Sequence, residues 1–238
     1  MIENMFDIHC HFLPGVDDGS DSMQTTIGLL EADARDGVTD IIVTPHFRRR
    51  MFEPPMNLIW QQFDLVQEQA NKMGLQLYLG CEYHANMDMV EQLSAGARPT
   101  MAGSRYVLTE FKESSPEDFI RERTNSLLSA GYVPIIAHLE RYKAMRGKFE
   151  FIEELAERGC RMQMNADSIA GRDGFFMSRF AKKMAEYDLI DFVGSDGHDL
   201  GRRAPHMGEC AEKLVKWGGE DYARHVLCEN PRMILEDR

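Results

Sequence analysis

The chain has 238 residues, 43% hydrophobic and 28% charged, the balance of an ordinary soluble globular protein long enough to bury a sizeable core. Its formal net charge of -12 argues against generic binding to nucleic acid or anionic lipid, so an anionic substrate would need locally supplied arginines or metal ions. Five scattered cysteines without a C-x-x-C spacing, no signal-peptide pattern and no run near the ~20 apolar residues of a membrane span predict a cytoplasmic protein without membrane insertion.

In chain order, the first predicted strand covers residues 5–11 and carries His9 and His11. Side chains alternate along a strand, so these imidazoles share a face and can hold one metal ion. Asp17-Asp18-Gly19 follows, adding carboxylates and a turn. Ser22 caps a predicted helix that runs to Asp36 and stops at Gly37. Further strands are read at residues 40–46, 75–82, 106–111, 133–139, 161–166 and 191–198. Between them lie helices over 55–73, from Ser115-Pro116-Glu117-Asp118 onward with Ser115 as cap and Pro116 at the first position, over 149–158 and over 175–187. The tail, 205–235, reads as two helices broken at Gly218-Gly219 and Asn230-Pro231. No linker is evident, so residues 1–238 are read as one domain.

Seven alternations of strand and helix imply a parallel sheet, open or closed. Potential ligands fall at nearly every strand end: His9 and His11, His46, Glu82, Glu110, His138, Asn165 and Asp167, then Asp196 and His198. A barrel gathers all its strand ends at one mouth, whereas an open sheet uses only some of them, which favours the barrel. Five of the eight histidines obey this rule, and Asp18, Glu82, Glu110 and Asp196 sit at matching places. Nitrogen and oxygen ligands without thiolate suit Mn, Fe or Zn, and this many ligands are best used by two or three ions. Cys10 should face away from its histidine neighbours. His84, His206 and His225 are left as surface or supporting residues.

Arginines form a second signal. Arg48-Arg49-Arg50 follows His46, Arg141 follows His138, and Arg202-Arg203 follows His198. Guanidinium matches a phosphate's oxygen pairs. Arg48, Arg49, Arg141, Arg202 and Arg203 are therefore candidate substrate contacts, although the 48–50 run reads equally well as a solvated charge cluster.

At these residues the chain resembles the PHP-type metal-dependent tyrosine phosphatases, bacterial enzymes encoded with capsule and exopolysaccharide genes. The matching pieces are Asp7-Ile8-His9-Cys10-His11, Asp17-Asp18-Gly19, Thr44-Pro45-His46, Gly80-Cys81-Glu82 and the segment from Ser104 to Phe111. Ile136-Ala137-His138-Leu139-Glu140-Arg141-Tyr142, Ser195-Asp196-Gly197-His198, the 203–207 segment and Asn230-Pro231 complete the match. The resemblance implies an α/β fold, a distorted (β/α)7 TIM-like barrel of the PHP type, with three ions, usually manganese. It implies metal ligands at His9, His11, Asp18, His46, Glu82, Glu110, His138, Asp196 and His198, and catalytic phosphate contacts at Arg141 and Arg203. The implied substrates are tyrosine-phosphorylated proteins, chiefly the tyrosine-rich tail of a bacterial polysaccharide kinase. The family often has Arg-Pro-Pro where this chain has Arg203-Ala204-Pro205 after an extra Arg202, leaving open which arginine meets phosphate.

The expected reaction is hydrolysis by a metal-activated hydroxide at a multinuclear site, with no phosphocysteine, since no cysteine has Arg at the sixth position after it. The alternatives are a PHP phosphoesterase acting on a small phosphomonoester such as histidinol phosphate, and a catalytically silent scaffold.

Overall fold

The computed structural model describes residues 2–237. Strand β1 (Met5–Cys10) leads into helix α1 (Met23–Asp36), which starts and stops where the sequence indicates. Ser22 accepts the Thr25 N–H at 3.2 Å, a cap worth about 1 kcal/mol, and Gly37 closes the helix at φ 97°. The second and third predicted strands are each interrupted. Val38–Val43 (β2) and His46–Phe47 (β3) flank Thr44-Pro45, while Gln76–Leu79 (β4) and Glu82–His84 (β5) flank Gly80-Cys81. Helix α2 (Met56–Lys72) separates the two pairs, and the short α3 (Met89–Ser94) follows β5.

The remaining strands are β6 (Tyr106–Glu110), β7 (Val133–Ile136), β8 (Arg161–Asn165) and β9 (Phe192–Gly194). They alternate with α4 (Glu117–Ser129), α5 (Phe149–Glu157), α6 (Ala166–Ala170) and α7 (Phe175–Glu186). Three sequence expectations are corrected in this region. The strand expected over 133–139 ends at Ile136, before His138 takes a left-handed φ of 31°. Pro116 is itself the extended residue before α4, so Ser115 provides no cap. The seventh strand ends at Gly194, because Asp196 turns into the left-handed region and breaks the extended run before His198.

The tail begins as α8 (Met207–Arg224), kinked at Gly219 as expected. Asn230-Pro231 does not break it: after a π turn at His225–Glu229, the final helix α9 (Asn230–Glu236) opens with Pro231 in its first turn, where a missing N–H costs nothing. Among the described residues, no helix is long and apolar enough to cross a membrane.

Every strand pairing is parallel, in orders β1-β2-β4 and β3-β5-β6-β7-β8-β9. The residues after β9 return to β1. Asp196 N–H donates to His9 O at 2.7 Å, His11 N–H donates to Gly197 O at 2.9 Å, and Cys10 pairs with Gly197. A Cβ at Gly194 would lie 2.4 Å from His9 Cβ, so only glycine lets these strands approach so closely. Phe6, Ile8, Ile42, Leu108, Ile135 and Phe192 meet in one buried cluster contributed by strands across both sheets. Parallel strands buried on both faces explain why the runs read as continuously apolar.

Between Asp7 and Cys10 the β1–β2 register slips, with three steps on β1 against two on β2. Such a bulge re-aims side chains. Ile8 points into the inner cluster, yet His9 reaches Glu82, and Cys10 packs in the other cluster, facing away as expected.

Candidate metal centre

Five histidines and three carboxylates converge above that inner cluster. Their ligand atoms form four overlapping groups, each within 4.8 Å: His11/His46/His198, His9/His11/Asp196, His9/Glu82/His138 and His46/Glu82/Glu110. Asp18, half exposed, completes the sequence-expected set, lying 3.4 Å from His46 Nε2 and 3.6 Å from His198 Nε2.

The imidazoles are oriented from behind. His9 Nδ1 lies 3.1 Å from Gln163 Oε1, His11 Nδ1 lies 2.8 Å from Asp17 Oδ2, and His198 Nδ1 lies 2.8 Å from the Asp196 carbonyl. Each partner is an acceptor, so each Nδ1 carries the shared proton and each Nε2 is the ring nitrogen left to face the centre. His9 Nε2 and His11 Nε2 face each other at 3.3 Å. His138 directs Nε2 at Glu82 Oε1, 2.7 Å away, while Tyr142 Oη sits 3.3 Å from its Nδ1.

Four buried atoms in this centre have no hydrogen-bond partner: His46 Nδ1, Glu82 Oε2, Glu110 Oε2 and His198 Nε2. His46 Nδ1 and Glu82 Oε2 are 2.8 Å apart yet are not aligned for a hydrogen bond. Unsatisfied buried polar atoms are costly, and several aimed at a common space suit a cation held among them. The donor set therefore fits divalent ions with mixed nitrogen and oxygen coordination.

Electrostatics separate the carboxylates. Burial alone would raise the Glu82 pKa, but His46, His9, His11 and His138 outweigh it and hold the carboxyl well below its usual range. Burial opposes Asp196 in the same way, and Arg141 with the nearby histidines overcomes it. Glu110 is compensated less: burial and the neighbouring Glu82 outweigh His46, Arg48 and His9 and push it up to about 7. Burial and Arg141 bring His138 down to about 4, leaving it neutral and able to act as a ligand. The left-handed φ values of His138 (31°) and Asp196 (52°) fall at candidate ligand positions, a strain of about 1–3 kcal/mol each. It is held by the His138 N–H on Gln163 Oε1 at 2.7 Å and by the Asp196 bond to β1.

The arginines divide. Arg141 Nη2 lies 2.6 Å from Asp196 Oδ2, and Arg203 Nη2 lies 3.2 Å from Asp196 Oδ1, so two guanidiniums meet at one candidate ligand. Both line a cavity of about 650 Å³, with the exposed Arg202 at its wall. Arg48 and Arg49 both line a separate cavity, where Arg49 is paired with Asp88 at 2.5 Å. His206 holds Asp167 at 2.7 Å and His225 faces Glu229 at 3.2 Å, both outside the ligand groups. All five cysteines are free and buried, and burial raises the thiol pKa of Cys10 well above its usual value and that of Cys160 to about 11, so neither is poised as a thiolate.

Sequence reasoning passed over Gln163, and it noticed Asp17 and Asn165 without giving either its role. Asp17 also accepts the His46 N–H at 2.9 Å, and its backbone turn needs Gly19, where a Cβ would lie 2.2 Å from His11 O. Gln163 Nε2 donates to Asn165 Oδ1, and Asn165 Nδ2 donates to Asp196 Oδ2 at 2.9 Å. An amide between Met162 and Met164 in a buried strand was the available signal.

The backbone is similar to that of an amidohydrolase from Mycoplasma synoviae, with a TM-score of 0.67 at 12% identity over 97% of this chain and 87% of that one, a likeness of fold alone. The fold is thus an α/β one with parallel sheets, akin to TIM-type hydrolase folds. The family described as "Capsular polysaccharide synthesis, CpsB/CapC" matches residues 5–236, and the chain belongs to it. Tyrosine-protein phosphatase CpsB of Streptococcus pneumoniae is 34% identical over 241 residues, covering 98% of this chain and 99% of that protein. A crystal structure from work on Bacillus subtilis YwqE and S. pneumoniae CpsB, described as unique metal-dependent tyrosine phosphatases, matches with a TM-score of 0.85 at 29% identity, over 98% of this chain and 92% of that one.

Proposed function

We propose that this chain is a metal-dependent protein-tyrosine phosphatase, with His9, His11, Asp18, His46, Glu82, Glu110, His138, Asp196 and His198 holding three divalent ions, manganese in the active form. The observation that carries this reading is the set of overlapping ligand groups with orphaned atoms beside two converging guanidiniums. Bound divalent ions supply Lewis acidity, polarising phosphoryl oxygens and lowering the pKa of water toward neutrality.

The chain's own residues do the rest. Gln163, Asp17 and the Asp196 carbonyl fix three imidazoles as Nε2 donors. Arg141 and Arg203 bind the phosphoryl oxygens and stabilise the charge that grows on them in the transition state. Burial works against the Arg141 charge, but Asp196, Glu140 and Glu82 outweigh it and raise its pKa, so it stays protonated throughout the working range. No thiol takes part.

Counting β2 with β3 and β4 with β5 gives seven strands, and the isolated Cys10–Gly197 bridge between the two sheets supports reading them as a (β/α)7 barrel of the PHP type. The family's tie to capsular polysaccharide synthesis supports a cytoplasmic substrate, the tyrosine-rich tail of a polysaccharide-biosynthesis kinase. The test is turnover of a phosphotyrosine peptide by manganese-loaded variants. Arg141→Ala and Arg203→Ala should each lower kcat roughly 10²- to 10³-fold at unchanged metal content, with a smaller loss for Arg202→Ala. Wild-type turnover by a metal-replete Arg141→Ala enzyme would overturn the assignment.

A further inference from the structure

A second cavity, of about 670 Å³, shares no lining residue with the cavity that Arg141 and Arg203 line. Two of its cations and an imidazole are placed by the strands that carry the candidate ligands. On β3, β5 and β6 the candidate ligands are His46, Glu82 and Glu110, and two residues beyond each stand Arg48, His84 and Lys112. Glu82 and His84 lie in one strand, so they share a face about 7 Å apart. His84 also pairs in register with Glu110. The cavity is therefore the next tier outward from the candidate centre on three neighbouring strands.

This tier is positive in a chain of net charge -12. No carboxylate lines it. Among the described residues, neither Arg48 nor Lys112 has an ion-pair partner, although Arg49 is paired with Asp88. Arg48 is held by backbone bonds of 2.8 Å in both directions with Phe52, whose ring stacks on His46 at 5.2 Å. His84 Nε2 is buried without a hydrogen-bond partner. Met87, Pro116 and Phe119 supply apolar wall. Unpaired cations, an unsatisfied imidazole nitrogen and apolar wall together fit an anionic side chain with an aliphatic stem.

We propose that this cavity is a specificity subsite for the carboxylate of an Asp or Glu flanking the phosphotyrosine of the substrate. The inference rests on the phosphatase reading and adds a sequence preference to it. An extended peptide crossing the mouth, with its phosphate between Arg141 and Arg203, brings a flanking side chain over this tier.

The experiment compares kcat/KM of the manganese-loaded protein on phosphotyrosine peptides that differ only by Glu or Gln at each flanking position. At one position the Glu peptide should be preferred roughly two- to five-fold at low salt, the size of an exposed charge pair. The preference should shrink at high salt. Lys112→Ala should bring the Glu/Gln ratio close to one, Lys112→Glu should invert it, and Lys112→Arg should keep it. A wild-type ratio of one at every position overturns the subsite, as does a ratio that survives Lys112→Ala and Lys112→Glu. A metal-loaded protein that turns over no phosphopeptide overturns the phosphatase reading as well, which separates the two failures.

Discussion

Glu140 precedes Arg141 and is fully buried. Its Oε1 accepts the Asn165 N–H at 2.9 Å, and its Oε2 has no hydrogen-bond partner. Burial pushes its pKa up to about 7 from an ordinary 4.5, against the opposing pull of the Asn165 N–H and Arg141. The folded protein thus binds this proton more tightly than the unfolded chain. The resulting stability is fully present below about pH 4.5 and is lost as pH rises through about 7. The gap between 4.5 and about 7 corresponds to about 3 kcal/mol. Glu140→Gln removes the ionisation and keeps a carbonyl oxygen for Asn165. Urea unfolding of the chelator-treated wild type and variant should show the variant gaining about 3 kcal/mol on the wild type between pH 4.5 and 8, then a plateau. A fixed cost of seating the amide NH2 would shift the curve without changing its slope. A difference independent of pH would refute the reasoning.

Two other perturbations separate the roles of neighbouring residues. Asp17→Asn removes the carboxylate behind His11 and should weaken metal affinity roughly 10- to 100-fold in a chelator competition, while unchanged affinity would show that Asp17 does not orient the ligand. Cys10→Ser should keep most phosphatase activity, because the thiol lies in the core 3.9 Å from Ile42 O, and loss of turnover in a folded, metal-loaded variant would bring thiol chemistry back.

The strands were legible because parallel strands buried on both faces are apolar along their length, and the histidines stood out because they end those runs. The helix from Met23 to Asp36 was legible at both ends through Ser22 and Gly37. What escaped depends on contacts between distant parts of the chain. The interruption after Val43 has a local cause in Pro45, which lacks an N–H for the ladder, but its use in swinging His46 toward Glu82 is visible only in three dimensions. Asp17 and Asp18 are adjacent in a loop where no alternation rule applies. One backs His11 and the other faces His46 and His198, and their order in sequence does not say which. The left-handed turn at His138 is unusual for a non-glycine residue and is sustained by Gln163, a residue from another strand. The same holds for Arg48 and Arg49, which sequence could not divide: both line the second cavity, and Asp88 claims only Arg49.

The most direct test of the account is hydrolysis of a phosphotyrosine peptide by the purified protein, first stripped with chelator and then reloaded with manganese. The account predicts no turnover when stripped, recovery on reloading, and no recovery in His138→Ala, whose Nε2 faces Glu82 at the candidate centre. Turnover that survives complete metal removal, or none from a folded, manganese-loaded protein, would contradict it.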